Sequence, residues 1–168
     1  MLLSEKTPYV SAEISLFEKL VGAGEDKSRI TLPLQLHGFL VACLVEHLRD
    51  TRILSRVLAV NLLRSTELRG RRASVLLKRA GDEALLLAGL YPERALRLHV
   101  SSTYFRHVGQ TAYGSLAARL QSTGMRESGK FYDHVAENFC SLEKVLNGAR
   151  AEPSGPWEAW RRMLASLQ

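Results

Sequence analysis

An all-α fold, a helical bundle of about six to seven helices, is predicted by three features of the sequence. Apolar residues recur at three- and four-residue intervals along almost its whole length, the spacing that lines one face of a helix. No stretch alternates with period two, the mark of a half-buried strand. Proline, glycine and short polar residues fall where such stripes begin and end. With 168 residues, 46% hydrophobic and 24% charged, the chain can form a core without disulfides. A chain of this size buries roughly 70% of the surface its unfolded form exposes.

The first helix opens at Thr7-Pro8, a cap followed by a proline whose missing N–H costs nothing at that position. Val10, Ile14, Phe17 and Val21 mark its buried face. Gly22 and Gly24 are expected to end it, ahead of a polar connection at 25–29. Thr31 and Pro33 open a second helix that runs to about Arg49. Its apolar residues, among them Leu36, Leu40, Val41, Cys43 and Leu44, cover nearly the whole circumference, as in the middle of a bundle. A third helix is expected over 53–63, with Ile53, Leu54, Val57, Leu58 and Leu62 facing inward. After an arginine-rich stretch at 64–72, a fourth continues to Tyr91 and has to stop or kink at Pro92. A short turn or helix follows, and Ser101 or Ser102 caps the fifth, whose stripe is Phe105, Val108, Ala112, Leu116 and Leu120. Gly124 breaks it. The sixth carries Phe131, Val135, Phe139, Leu142 and Leu146 as far as Gly148.

Residues 1–148 therefore read as the bundle, 149–156 as a linker rich in glycine and proline, and 157–168 as a C-terminal helix. Trp157, Trp160 and Leu164 lie along one side of that helix and are interface candidates. A helix this short is unstable alone in water, so it has to dock on the bundle, a second copy or another protein.

The longest apolar runs, 39–45 and 84–91, fall short of the roughly 20 residues a membrane span needs. The first residues carry no apolar stretch behind a basic head, so a soluble, cytoplasmic protein is expected. Cys43 and Cys140 form no Cys-x-x-Cys motif; buried free thiols are expected, with no metal and no cofactor. The net charge of +6 permits attraction to nucleic acid, anionic lipid or an acidic protein, and selects none of them.

Several constellations could carry chemistry. His37 and Asn61 fall among apolar residues on the helical wheel, where an unpartnered imidazole or amide costs about 1–3 kcal/mol. They either line a polar pocket between the second and third helices or fix helix register. Glu46-His47 and His134-x-x-Glu137 lack the Glu-x-x-His order of di-iron bundles. No nucleophile elbow or phosphate-cradling loop is present. Arg64, Arg69, Arg71, Arg72, Lys78 and Arg79 form a basic segment able to meet phosphates; Glu67, Asp82 and Glu83 lie among them, and Lys78 and Arg79 are helical neighbours of Asp82 that can pair with it. Residues 93–109 have the outline of a degenerate helix-turn-helix, with Arg106 as the only fixed cation on the recognition helix and His99 in place of the turn glycine.

Gly81-Asp82-Glu83-Ala84-Leu85, then Gly89-Leu90-Tyr91-Pro92-Glu93, Tyr104-Phe105 and Gly109-Gln110-Thr111-Ala112-Tyr113 together resemble a pattern of uncharacterised bacterial all-helical proteins. The resemblance implies no activity, and it implies that 93–109 belongs to the bundle. From the residues themselves, Asp82, Tyr104 and Tyr113 could border a polar site if the fourth and fifth helices touch. The expectation is a non-catalytic helical bundle that acts by binding a protein or a small ligand, as a homodimer or adaptor. DNA binding through 93–109 and an enzyme with a polar pocket are the alternatives.

Overall fold

The computed structural model describes residues 7–47, 67–97 and 99–166. The expected helix at 53–63, with Asn61 and Arg64, lies outside the described residues, as does the side chain of Leu164. The described residues form eight α-helices and no strand. In chain order these are α1 (Thr7–Ser28), α2 (Leu34–His47), α3 (Arg71–Leu90), α4 (Pro92–Arg97), α5 (Ser102–Ser122), α6 (Arg126–Glu137), α7 (Phe139–Arg150) and α8 (Pro156–Ser166). No described helix is long and apolar enough to cross a membrane.

The chain divides into two compact units, one of 1–50 with 144–168 and one of 51–143, so the boundary falls inside α7. This differs from a bundle ending at Gly148 and a separate terminal helix. In the first unit Phe17, Leu20, Leu36, Leu40 and Leu44 are buried, and Trp160 of α8 meets Phe17 edge-on at 4.9 Å. Both indoles are buried, Trp157 included. Trp160 is thus engaged within its own unit.

Two boundaries differ from expectation for identifiable reasons. The first helix does not stop at Gly22 and Gly24 but runs to Ser28. Gly24 serves a helix crossing: a Cβ there would collide with the Val145 carbonyl of α7, and one at Gly148 would lie 2.8 Å from the Gly24 carbonyl oxygen. Gly148 accordingly sits inside α7. The expected sixth helix is divided at Asn138, which takes φ −97° and ψ 11°. Its side-chain amide donates to the His134 carbonyl at 2.9 Å, an oxygen that also accepts the Asn138 backbone N–H at 3.1 Å, so the two donors share one acceptor at the break.

Other boundaries follow the sequence. Pro92 is the first residue of α4, and Ser101 caps α5 by accepting the Tyr104 N–H at 3.2 Å. In the second unit α3 packs on α5 and α5 on α6, around Leu77, Ala84, Ala112, Leu116 and Val135.

Candidate ligand cleft and buried polar network

Helix α3 has two dissimilar halves. Every residue from 80 to 90 is buried, Asp82 and Glu83 included. A buried carboxylate is tolerated only when paired and hydrogen-bonded, and both are. Lys78 Nζ lies 2.7 Å from Asp82, and Arg79 Nε lies 2.9 Å from Glu83, each one turn earlier on the same helix. The two cations are about one-third exposed, with stems along the core and heads toward water. Asp82 also accepts the Tyr113 hydroxyl at 2.7 Å.

Tyr113 reaches Asp82 because position 81 has no side chain. A Cβ on Gly81 would fall 2.5 Å from the tyrosine ring. Tyr113 stacks on Tyr132 at 6.1 Å and leans on Phe139 at 6.2 Å, and Phe139 in turn occupies the space over Gly109. Gly81, Asp82, Gly109 and Tyr113 are therefore linked through the rings of Tyr113 and Phe139. Tyr104 does not join them. It is partly exposed and sits edge-on to Phe105 at 5.6 Å, the next residue along the helix, which turns into the core in its place. The expected grouping of Asp82, Tyr104 and Tyr113 is thus met in two of its three members.

A third buried carboxylate, Glu143, accepts Arg106 Nε at 2.9 Å and Nη2 at 3.3 Å. Hydrogen bonding to Glu143 and its charge raise the Arg106 pKa further above its ordinary value. The fork geometry of this contact fits guanidinium and carboxylate alike. Short α4 leads to His99, which adopts φ +55° without being glycine, and then to α5. Ser102, Thr103 and His107 are exposed, but Arg106 is turned to Glu143.

His37 is half-buried, and its Nδ1 lies 3.2 Å from Glu25 of α1. The other Glu25 oxygen accepts the Leu32 N–H at 2.9 Å, so this carboxylate fastens the α1–α2 turn. His134, weighed as a metal ligand, has its Nδ1 3.2 Å from the Asn138 amide. Cys140 is only partly buried, whereas Cys43 is buried as expected. Cys43 and His47 lie one turn apart on α2, both buried, a Cys-x3-His spacing that a search for Cys-x-x-Cys passes over. The Glu25, Glu83 and Glu143 pairings also escaped the sequence reading. Of these, the four-residue spacing of Arg79 and Glu83 was the one available signal.

The first half of α3 is open. With the end of α5 and the start of α6 it borders a cleft of about 620 Å³. Val75, Leu116, Leu120 and Tyr132 give it an apolar wall, and Met125 extends that wall from the α5–α6 turn. Val75 and Met125 are 57% and 54% exposed, high for apolar side chains in a concave surface. Leu116 and Leu120 belong to the buried cluster with Leu77, so the wall is an exposed edge of the core. Arg71, Lys78 and Arg119 supply the charge, and no carboxylate is among the described lining residues. A second cleft of about 780 Å³ adjoins it and shares Arg71 and Val75, with Glu67, Leu68, Arg72 and Leu76 beyond. Arg69, Arg71 and Arg72 are exposed, as the basic-segment reading requires. No family model, curated protein or solved structure matches the chain.

Proposed function

We propose that this chain is a non-catalytic, cytoplasmic protein that acts by binding a small ligand, and that the α3–α5–α6 cleft is the binding site. The observation that carries this reading is an apolar concavity, left open on a unit whose buried polar groups are engaged with one another. Its volume, about 620 Å³, lies inside the roughly 300–1,000 Å³ typical of small-molecule sites. Apolar walls with a few charged groups at the rim are what such sites share. The engagement of Asp82 with Tyr113 and Lys78, and of Glu143 with Arg106, supports a structural role for those groups.

Nile red, a neutral dye that brightens in apolar surroundings, tests the reading. The folded protein is expected to take up the dye, and Val75→Glu with Met125→Glu is expected to abolish uptake without loss of helicity. Both side chains are exposed, so neither change places a charge in the core. Absence of uptake, or uptake indifferent to the two substitutions, would remove the cleft as a binding site.

A further inference from the structure

Resting on that reading of the cleft, we infer that its occupant is a single-chain amphiphile with an anionic head, of the long-chain carboxylate class. The lining sorts by polarity into a wall and a rim. Val75, Leu116, Leu120 and Met125 offer contact to a flexible saturated chain, and methionine adapts its shape readily to such a surface. Among the described lining residues the charged ones are all positive and none is acidic. Lys78 is held 2.7 Å from buried Asp82, so its charge is already balanced within the fold. Arg71 and Arg119 supply the excess. Each presents a planar fork of donors that suits a carboxylate, and both lie on the rim of one small cleft. The start of α3 adds to the same field, because Gly70 caps it without a side-chain acceptor and lines the cleft beside Arg71.

A neutral head would leave two guanidinium groups partly dehydrated with nothing to accept from them, and a cationic head would meet repulsion. An amphipathic helix from another protein is the less suitable occupant. Such a rod is about 10–12 Å across and needs a groove several turns long. The cleft lies instead between the start of α3, the end of α5 and the start of α6, a space of about 620 Å³.

The test compares three twelve-carbon amphiphiles that differ only in the head group: laurate, dodecyl maltoside and dodecyltrimethylammonium. Each is titrated as monomer into the full chain carrying Nile red. Laurate is expected to displace the dye at concentrations about tenfold lower than the cationic compound needs, a factor set by one or two charge-assisted contacts. Arg71→Ala with Arg119→Ala is expected to erase that preference while the dye still binds. Arg71→Lys with Arg119→Lys is expected to keep most of it. Equal displacement by all three heads, or a preference that survives loss of both arginines, would overturn the inference and leave the cleft a ligand site. Release of dye by anionic vesicles but not by monomeric laurate would overturn it too, in favour of a membrane surface. Failure of the unaltered protein to take up Nile red would instead sink the underlying reading.

Discussion

The two halves of α3 treat charge in opposite ways. Toward its C-terminus two carboxylates are fully buried, each beside a cation one turn away, and Asp82 is bonded to a tyrosine from α5 as well. Toward its N-terminus Arg71 is exposed beside a valine that faces solvent, along the edge of an apolar cleft. Polar residues in a helical core draw attention as candidate chemistry, yet here they are mutually satisfied and hold helices together. The place left open to a ligand is an ordinary-looking stretch of sequence, with no buried polar residue to advertise it. Substitutions that separate stability from binding turn this contrast into measurements.

The largest effect is expected at Asp82. Asp82→Leu leaves the Tyr113 hydroxyl and the Lys78 ammonium without their acceptor, and breaking a buried pair in this way costs about 3–5 kcal/mol. For a chain of this length the thermal midpoint is expected to fall by on the order of 10 °C in a circular dichroism melt. Tyr113→Phe keeps the ring on Gly81 and removes one hydrogen bond to a charged group, worth about 1.5–3 kcal/mol in urea denaturation. A double-mutant cycle over the two positions is expected to show coupling of the order of that bond. His37→Ala removes a half-buried contact to Glu25 and is expected to cost about 1 kcal/mol or less. Val75→Glu is expected to leave the melting curve where it was and to act on ligand uptake alone. A large loss of stability at Val75, or ligand uptake sensitive to Tyr113→Phe with the fold intact, would erase the distinction between the halves.

The all-α class was legible because apolar periodicity follows directly from helix geometry. Helix starts read well where a local device sets them, as at Pro92 and Ser101. The end of α1 did not, because Gly24 answers to Val145, far along the chain, and a glycine that permits a crossing looks like one that stops a helix. The division at Asn138 goes with a side-chain bond to the His134 carbonyl, a local contact that apolar spacing does not reveal. The meeting of Asp82 and Tyr113 was foreseeable on the condition that the two helices bearing them touch, and of the cleft residues the basic stretch gave Arg71. Tyr104 was misplaced because its neighbour Phe105, and not Tyr104 itself, occupies the buried position. The cleft was invisible beforehand. It arises where the ends of three helices fail to fill the space between them, and no periodicity encodes that.

Amide and methyl chemical shifts followed by NMR during a laurate titration test the account most directly. It predicts the largest perturbations on Val75, Leu116, Leu120 and Met125, with smaller ones at Asp82 and Tyr113, which touch the cleft-lining Lys78 and Tyr132. Perturbations centred on Asp82 and Tyr113, with the cleft residues silent, would contradict it.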